Sequence, residues 1–391
     1  MKIEIVDMDH LGRGIGKIDG KVVFVPKAIP GDVCEIKIVK ECKNYNVGRI
    51  EKIIKSSNKR IEAICPYYDS CGGCNLLSLS YQEQLLFKEN KVKNIFKKYL
   101  NMDIDVTVIS SKKQEGYRNK ITYHNDLGLG LISEDNQVID IDECMLVSKK
   151  INELFKLIKK ENIDNVNKIT IRELDNGLVL DIAGDMDISR IKDKCIQIYI
   201  NGKKVYYKEG GYIKLGGKKF IVSNKSFFQI NTSNIEVLYN EIKNIGKFNH
   251  NMRLVDLYCG VGSIGLFLAD DVKSVLGIEI VPDGIKDAIH NAEINKIDNA
   301  KFICGDVGKI IDKVIDGDVL VVDPPRIGMD NYTSKVINNS KIKEVIYVSC
   351  DVMTLVRDLK RLSNYSIKEI RIVDMFPNTH HCESVCLLER R

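Results

Sequence analysis

Residues 253–265 read RLVDLYCGVGSIG: an apolar strand pattern runs into a glycine-rich turn, which opens a helix pattern. Glycines permit a tight turn and let a ligand approach the backbone closely. The turn alone is weak evidence, because dinucleotide sites use the same device. The strand patterns that follow alternate with helix patterns and span 274–280, 300–306, 318–324 and 344–349. This alternation predicts a doubly wound α/β domain whose ligands lie beyond the carboxyl ends of the strands.

The end of the chain departs from this alternation. Strand patterns at 366–376 and 383–389 follow each other without a helix pattern between them. We expect them to form an antiparallel pair at one edge of the sheet. An amphipathic helix pattern at 81–100, far earlier in the chain, could pack on this same domain.

Strand patterns also dominate the segments that precede this domain. The first 56 residues contain four or five short ones, and the turn signal Asp19-Gly20 lies among them, which predicts a small closed, OB-like barrel. The next segment is first rich in cysteine and then in strand patterns, with a helix pattern at 148–160. Hairpin turns are predicted at Asn176-Gly177 and Asn201-Gly202. We therefore expect three domains: 1–56, 57–223 and 224–391.

Composition excludes several classes of protein. The chain has 391 residues, of which 44% are apolar and 29% charged, and this is typical of a globular protein with a sizeable core. No apolar run approaches the roughly 20 residues of a membrane span, and the first ten residues do not resemble a secretory signal. Twelve cysteines without an export signal predict a reducing, cytoplasmic setting.

Positive charge is concentrated at the N-terminus. Residues 1–60 contain 13 basic and 8 acidic side chains, which equals the net charge of +5 of the whole chain. A basic module on a neutral body suggests a polyanionic partner, because lysine and arginine gain affinity for phosphates by releasing counterions. A merely solvated lysine-rich surface is an equally good explanation of the charge alone.

Acidic residues follow successive strand patterns of the α/β domain. Asp256 lies in the first, Glu279 ends the second and Asp306 ends the third, while Gly260 lies in the turn. Carboxylates suit ribose hydroxyls, an adenine amine and a positive centre better than a pyrophosphate. That ligand is S-adenosylmethionine, and this part of the chain resembles the Rossmann-like class I methyltransferases. For any one of these acids the alternative is a helix cap or a solvated loop charge.

The fourth and fifth strand patterns end in residues that could act on a bound base. Asp323-Pro-Pro-Arg326 gives a rigid loop and resembles the proline-pair motif of base-modifying methyltransferases, although an ordinary turn is the alternative. Cys350 follows the fifth strand pattern, where a structural thiol would be the better explanation of a cysteine taken alone.

The chemistry of uracil makes that cysteine informative. C5 of uracil is a poor nucleophile, but a thiolate that adds to C6 makes C5 able to accept a methyl group. The adduct must then lose its C5 proton, so a general base is required. Glu383 is our choice for this base and His381 is the competitor, and either could instead be structural.

Taken together, these motifs resemble the uracil-C5 RNA methyltransferases along essentially the whole chain, and the N-terminal module resembles the TRAM domain. The motifs are Asp256-Leu-Tyr-Cys-Gly260, Asp323-Pro-Pro-Arg326, Ser349-Cys350-Asp351, the run FPxTxHxE at 376–383 and Phe228-Gln-Ile-Asn231. The resemblance implies that Cys350 is the nucleophile and Glu383 the base. It also implies that S-adenosylmethionine contacts Gln229, Tyr258, Glu279 and Asp323. Asn378 and Cys382 occupy positions that the FPxTxHxE motif leaves variable, so neither weakens the resemblance.

Four cysteines form a candidate metal site away from this chemistry. Cys65, Cys71 and Cys74 are crowded together, and Cys144 is the best fourth ligand. Zinc and an iron–sulfur cluster are both compatible with four thiolates, although the spacing fits a cubane better. The family resemblance implies a 4Fe-4S cluster on these residues. The motif at 116–120, GYRNK, also matches the family, and its tyrosine and arginine could contact RNA or simply cap a strand.

These patterns lead to the hypothesis of an S-adenosylmethionine-dependent methyltransferase that acts on C5 of a uridine in structured RNA. Family members with both a TRAM module and the cysteine cluster mostly act on 23S ribosomal RNA, so we expect that partner and no DNA or membrane. The alternatives are the same chemistry on tRNA and, from another class, a non-catalytic or redox-sensing iron–sulfur protein that binds RNA. A monomer is favoured.

Overall fold

The N-terminal module is a curled six-stranded sheet. The structure is a computed structural model that describes residues 1–126 and 128–391. The first strands are β1 (Lys2–Glu4), β2 (Asp7–Met8), β3 (Arg13–Ile18), β4 (Lys21–Pro26), β5 (Val33–Glu41) and β6 (Tyr45–Lys55). They lie in the order β1-β5-β6-β4-β3-β2. A Cβ on Gly16 in β3 would lie 2.5 Å from the carbonyl oxygen of Glu4 in β1, so the sheet curls back on itself as the barrel prediction requires.

A long helix and a short strand follow the cysteine-rich loop. Helix α1 (Tyr81–Leu100) is capped at its N-terminus by Ser80, whose side chain accepts a hydrogen bond from the amide of Glu83. It ends at Asn101, whose φ of 53° is left-handed. These two caps stabilise the ends of the helix that the apolar pattern predicts. Strand β7 (Thr107–Ile109) comes next.

The central segment is an antiparallel-rich sheet with one helix. Its elements are β8 (Lys120–Asn125), β9 (Leu129–Ile132), β10 (Val138–Asp140), α2 (Lys149–Ile158), β11 (Val166–Leu174), β12 (Gly177–Gly184), β13 (Cys195–Ile200) and β14 (Lys203–Tyr207). The strand order is β10-β9-β8-β11-β12-β13-β14. A separate hairpin of β15 (Tyr212–Leu215) and β16 (Lys218–Ile221) completes the segment. The helix predicted at 148–160 is therefore α2.

Two of the three predicted hairpin turns are confirmed and one is displaced. Asp19-Gly20 and Asn201-Gly202 have positive φ at both residues and connect paired strands, as in type I′ turns. Leu174 pairs with Gly177, so the third turn consists of Asp175 and Asn176 instead of Asn176 and Gly177. The reason is tertiary, because the side chain of Asn176 donates to the Gly210 carbonyl and fixes the turn one residue earlier.

The C-terminal part is the predicted doubly wound domain. Its helices are α3 (Thr232–Gly246), α4 (Ser263–Leu268), α5 (Pro282–Ile294), α6 (Val307–Val314), α7 (Asn331–Asn339) and α8 (Val352–Arg361). Its strands are β17 (Arg253–Leu257), β18 (Ser274–Glu279), β19 (Ala300–Cys304), β20 (Val319–Val322), β21 (Glu344–Ser349), β22 (Tyr365–Val373) and β23 (Glu383–Arg390). The order β19-β18-β17-β20-β21-β23-β22-β7 gives five parallel strands and then the antiparallel β23.

The edge of this sheet differs from the prediction. The terminal pair β22 and β23 is antiparallel as expected, but β7 pairs with β22 in parallel and forms the outer strand. The three residues of β7 are too short to show a strand pattern by themselves. Because they follow α1, the chain that leads into the central segment also contributes to the C-terminal sheet.

Two apolar cores lie on opposite faces of the sheet. One contains residues of α3, α4 and α5, such as Leu238 and Leu266. The other contains residues of α6, α7 and α8 together with Val92 and Phe96 of α1. Helices thus cover both faces, as the alternating pattern predicts, and α1 is one of them.

Candidate active site

The parallel strands bring the predicted cofactor residues to one edge of the sheet. Glu279 is the last residue of β18, and Asp306, Asp323 and Cys350 follow β19, β20 and β21. The carboxyl ends of parallel strands meet at the same edge, so Glu279 and Cys350, which are 71 positions apart in the sequence, lie in one cleft.

The glycine-rich turn after β17 leaves open space above its backbone. Tyr258, Gly260 and Gly262 all have positive φ values, of 64°, 56° and 75°. A Cβ on Gly260 would meet only the Phe227 carbonyl oxygen, at 3.9 Å, so a ligand could approach the backbone here. This open turn, followed directly by helix α4, fits a bound nucleoside.

Asp256 lies underneath this turn. It is completely buried, and its Oδ2 accepts a hydrogen bond of 3.0 Å from the amide of Gly265 in α4. Among the described residues its Oδ1 has no hydrogen-bond partner. The pKa of this carboxyl is raised to about 8: burial is the main cause, the Gly265 bond opposes it, and the nearby Asp323 and Glu279 add to it. The residue braces the turn from below and is not exposed to the cleft.

The acids after β18 and β19 have different surroundings. Both oxygens of Glu279 accept backbone hydrogen bonds, from Gly260 at 3.1 Å and Val281 at 2.8 Å, which ties the second strand end to the glycine turn. Asp306 caps helix α6 by accepting from the amide of Gly308, and it lies 3.4 Å from the ammonium of Lys309. Asp306 thus serves as a helix cap in the structure, and its second oxygen faces a lysine.

Asp323 lies at the centre of the cleft with Gln229 as its partner. Burial raises the pKa of Asp323, and a hydrogen bond from the Gln229 side chain opposes that rise. Gln229 itself is buried just before α3. Tyr258 points elsewhere: burial raises its pKa to about 12, and its hydroxyl interacts with Thr333 in α7. Gln229 and Asp323 are thus brought together, and Tyr258 lies on the α7 side.

The register of β21 and β23 places Cys350 beside Glu383. These antiparallel strands pair Ser349 with Ser384, so Cys350 and Glu383 occupy the next pair of positions. The pKa of Cys350 is raised to about 12, mainly by burial and then by the charge of Glu383, against the opposing charge of Arg326. Burial and then Asp323 raise the pKa of Glu383 well above its usual value. One thiol, two carboxyls and one guanidinium therefore share this end of the cleft.

Comparisons with known proteins agree with this geometry. The family model described as tRNA (Uracil-5-)-methyltransferase matches residues 154–315 and 307–391, and the TRAM domain model matches residues 1–50. Uncharacterized RNA methyltransferases of Halalkalibacterium halodurans and Clostridium acetobutylicum are each 34% identical to this chain, over 100% of it and 96% of their own length.

The chain belongs to the tRNA (uracil-5-)-methyltransferase family. The crystal structure of the Pyrococcus abyssi tRNA (uracil-54, C5)-methyltransferase in complex with S-adenosyl-L-homocysteine matches it with a TM-score of 0.82 and 27% identity, over 99% of both chains. The predicted class I fold, the N-terminal TRAM domain and the activity of an S-adenosylmethionine-dependent RNA (uracil-5-)-methyltransferase are thus confirmed. The hypothesis of a non-catalytic protein is wrong.

For a member of this family, Arg326 is a site residue that the sequence analysis left without a role. It follows the proline pair, and its charge lowers the pKa of both Cys350 and Glu383. The motif was visible in the sequence, but nothing in it indicated that the arginine faces a residue from each of two later strands.

His381, the competing base, is a neutral ring in this methyltransferase. Burial, together with the charges of Arg326 and Lys91, lowers its pKa to about 4. Its ring packs against His380 at 4.2 Å and edge-on against Phe376 at 5.8 Å. These aromatic contacts are those of a packed loop residue.

Tyr117 of the GYRNK motif is not available to stack on RNA. It is only 3% exposed, and its hydroxyl donates a hydrogen bond of 3.1 Å to the carbonyl of Pro377. The structural explanation of this tyrosine is therefore the correct one. Arg118 has a different position, because it lines the cavity that contains the cysteines.

The four cysteines line one cavity of about 500 Å³, separate from the cleft. They are Cys65, Cys71, Cys74 and Cys144, and all four are free thiols. Burial raises the pKa of Cys74, and the other three cysteines raise it further, since charged sulfurs repel one another. Thiolates are the usual protein ligands of zinc and of iron–sulfur clusters, so the chemistry of these four side chains is compatible with a thiolate-ligated metal group.

In the described part of the chain, as its side chains are placed, no group of three or more His, Cys, Asp or Glu residues could hold a metal ion. No helix there combines the length and the hydropathy of a membrane span.

Proposed function

We propose that the enzyme methylates C5 of a uridine in structured RNA, and in 23S ribosomal RNA in particular, through a covalent bond between Cys350 and C6 of uracil. The observation that carries this proposal is the position of Cys350 and Glu383 at adjoining strand ends, with Asp323 next to them. A nucleophile and a proton acceptor are both needed within reach of one ring, and these strand ends supply them.

Cys350 forms the first bond. As its sulfur attacks C6 the thiol releases its proton to solvent, and the electron pair of the C5–C6 double bond moves to C5 and the C4 carbonyl. The pKa of about 12 means that the resting thiol is protonated, and Arg326 supplies the positive charge that favours the thiolate during attack. C5 is then electron-rich enough to accept a methyl group.

The cleft would hold S-adenosylmethionine at the glycine turn. The bound molecule supplies an electrophilic methyl group on a sulfonium sulfur. Glu279 and Gly260 border the space above the turn, while Gln229 and Asp323 border it near Cys350. Asp256 would support the bound molecule indirectly, by fixing the glycine turn from below. Asp306 would do so by capping α6, and Tyr258 would contact the bound molecule from the side of α7.

Glu383 would remove the C5 proton. After methyl transfer C5 carries both the methyl group and the proton, and loss of the proton restores the double bond as the sulfur leaves C6. A carboxyl whose pKa is raised by burial is a stronger base than an exposed one, which suits this step. His381, with its lowered pKa, is the weaker acceptor.

The remaining parts of the chain would bind the RNA. The C5 and C6 edge of a stacked base is covered, so the target must lie in a loop or be flipped out, at a cost of a few kcal/mol. We propose that domain 1–56 contacts the phosphates of the RNA, that domain 57–223 binds the cluster, and that domain 224–391 carries out catalysis. We also propose that the enzyme works as a monomer in the cytoplasm.

A tRNA substrate is the second candidate. The structure that matches 99% of this chain is a tRNA (uracil-54, C5)-methyltransferase, and the match includes the N-terminal region. A TRAM-like region alone therefore does not separate the two substrates. The ribosomal proposal depends on the TRAM domain in combination with the cysteine site.

We further propose that the cysteine cavity binds a 4Fe-4S cluster through Cys65, Cys71, Cys74 and Cys144. In such a cluster each thiolate binds a different iron atom, so the four sulfurs do not converge on one point as they would around zinc. Brown colour and about four iron atoms for each chain after anaerobic purification are expected. Stoichiometric zinc without iron would overturn this assignment.

The decisive test of the chemistry uses RNA that contains 5-fluorouridine. Fluorine at C5 cannot leave as a cation, so the enzyme with its methyl donor should remain covalently attached to the RNA. Mass spectrometry of the adduct should place the bond on Cys350, and Cys350→Ala should form none. An adduct on Cys350→Ala, or no adduct on the unaltered enzyme, contradicts the proposal.

The base is tested on ordinary uridine. Glu383→Gln should accumulate the methylated adduct because the C5 proton stays in place, while His381→Asn should release product. The reverse result would transfer the role to His381.

The choice of RNA is tested with unmodified transcripts. Methyl incorporation into 23S ribosomal RNA fragments is compared with incorporation into tRNA at equal concentration. A larger kcat/KM on tRNA would replace the ribosomal proposal with the second candidate.

A further inference from the structure

The loop that joins β22 to β23 ends on Glu383 and is held from several directions. It begins at Asp374, which is completely buried, and includes Asn378, which is 4% exposed. The carbonyl of Phe376 accepts hydrogen bonds from the amide and the hydroxyl of Thr379, which closes a tight turn around Asn378. The position of Glu383 therefore depends on how this turn is held.

Asn378 is the residue of the turn with the most unusual backbone. Its φ is 66°, in the left-handed region that asparagine and glycine tolerate better than other residues do. Every polar group of the residue is also used, in the amide, the carbonyl and both side-chain atoms.

The partners of Asn378 come from three separate segments. Its carbonyl accepts from the amides of Asn75 and Leu76, both at 3.0 Å. Its amide donates to Gln84 Oε1 at 2.8 Å, and its Oδ1 accepts from Gln84 Nε2 at 3.1 Å. Its Nδ2 donates to the carbonyl of Gln114 at 3.0 Å. The segments are the cysteine loop, helix α1 and the start of the central segment.

The contact with the cysteine loop is direct. Asn75 and Leu76 follow Cys74 immediately, so the loop that contains three of the four cysteines ends against the Asn378 carbonyl. The side chain of Asn75 adds a hydrogen bond of 2.8 Å to Nδ1 of His380. On the other side, Lys91 of α1 donates to the His380 carbonyl at 2.8 Å.

We propose that Asn378 is the positioning residue for the general base: it fixes the turn from which β23 begins, so that Glu383 reaches the C5 proton. The proposal rests on the base role of Glu383 given above. Asn378 does not touch the reacting atoms, and it acts through five hydrogen bonds and a left-handed backbone that few residues adopt at this point.

The test separates proton removal from nucleophilic attack. Asn378→Gly retains the left-handed backbone and removes the two side-chain hydrogen bonds, from Gln84 Nε2 and to the carbonyl of Gln114. We expect kcat on RNA to fall by about 10²-fold, since a misplacement of about 1 Å has that effect, with KM unchanged. The methylated adduct should accumulate on ordinary uridine, as with Glu383→Gln, while 5-fluorouridine adduct forms at the unaltered rate.

A matched control and a second variant complete the experiment. Asn299→Gly makes the same substitution at the opposite edge of the sheet, where the side chain of Asn299 donates to the carbonyls of Ala269 and Val272. This control variant should accumulate no adduct. Gln84→Met removes both bonds from α1 to Asn378 without changing the turn, and it should accumulate adduct even if Asn378→Gly does not fold.

The outcomes distinguish this inference from the proposed function. If the unaltered enzyme forms no 5-fluorouridine adduct, the covalent mechanism itself fails. If it forms one and the folded Asn378→Gly and Gln84→Met variants turn over normally, or lose activity without accumulating adduct, the positioning role is wrong. Partial restoration of kcat by Asn378→Asp, which retains the backbone preference and one acceptor, would support it.

Discussion

Asp256 lies beneath the cofactor turn in a place that water does not reach. Burial raises its pKa from an ordinary value of 3.8 to about 8. The folded protein therefore keeps a proton that the unfolded chain releases at lower pH. Because the native state binds more protons over this range, the free energy of unfolding falls as pH rises from about 4 to about 8, and the contribution is lost above that.

This argument predicts a pH-dependent stability at the residue scale. Asp256→Asn has no proton to release, and its amide oxygen can still accept from Gly265. We expect the unfolding temperature of the unaltered protein to fall more between about pH 5 and pH 9 than that of the variant. Thermal unfolding without cofactor, followed by circular dichroism, measures the difference.

The control for this prediction is another strand-end acid. Asp306→Asn changes an acid whose side chain is 40% exposed and should keep the slope of the unaltered protein. Equal slopes for Asp256→Asn and the unaltered protein would contradict the assignment of the proton to Asp256.

Helix α1 is attached to the catalytic sheet by a buried ion pair. Lys88 and Asp374 are both completely buried, and Lys88 Nζ lies 2.5 Å from Asp374 Oδ1 and 3.0 Å from the carbonyl of Phe376. The hydroxyl of Tyr81, about two turns earlier in the same helix, donates a hydrogen bond of 2.9 Å to Asp374 Oδ2. At the scale of elements, this pair joins α1 to the same loop that ends on Glu383.

Removal of one partner should be costly. Lys88→Met leaves a buried carboxylate without its cation, so we expect the free energy of unfolding to fall by about 3–5 kcal/mol in urea titration. Asp374→Leu added to Lys88→Met should recover part of this loss, because neither charge then remains unpaired. An additive loss in the double variant would show that the two side chains do not form a coupled pair.

The exposed pair Lys59–Glu83 is the control for the buried one. Lys59 precedes the helix, and its Nζ lies 2.8 Å from Oε2 of Glu83 in the first turn of α1. The lysine side chain is 48% exposed. Lys59→Met should change the free energy of unfolding by less than about 1 kcal/mol, since water screens the pair.

At the scale of the whole molecule, a groove of about 920 Å³ between the TRAM domain and α1 could bind RNA. Phe24 and His10 line it from the TRAM side, and Leu86 and Tyr99 line it from α1. Met353, three residues after Cys350 in the sequence, also lines the groove. Aromatic rings beside lysines are the usual surface for single-stranded RNA.

Two exposed lysines of this groove should set its salt dependence. Lys55 and Lys98 line opposite walls. We expect Lys55→Gln with Lys98→Gln to weaken RNA binding and to lower the slope of log affinity against log salt by about 1 for each lysine that contacts a phosphate. Fluorescence anisotropy at several salt concentrations measures both quantities.

The control for the groove lies at the far edge of the sheet. Lys368 in β22 is near the strand end opposite the cleft, where it pairs with Glu389 at 3.1 Å. Lys368→Gln should leave both affinity and slope unchanged. An unchanged slope in the double groove variant would place the RNA elsewhere.

The sequence alone determined the order of strands and helices in the α/β domain, the glycine turn at 258–262 and the motif residues around Cys350 and Glu383. These features are local, because apolar periodicity and turn residues act over a few neighbouring positions. The motifs also predicted the family and the TRAM domain, and the matches to the two family models confirm both.

Only the tertiary structure decided which distant residues meet. Strand β7 at the sheet edge, Arg326 beside Cys350, and the contacts of Asn378 with Gln84 all join segments that no local pattern relates. Gln84 and Asn378 are 294 positions apart, and their hydrogen bonds exist because α1 packs against the loop before β23. Burial and the approach of charges depend on this packing, so side-chain environments and pKa values could be obtained only from the folded chain.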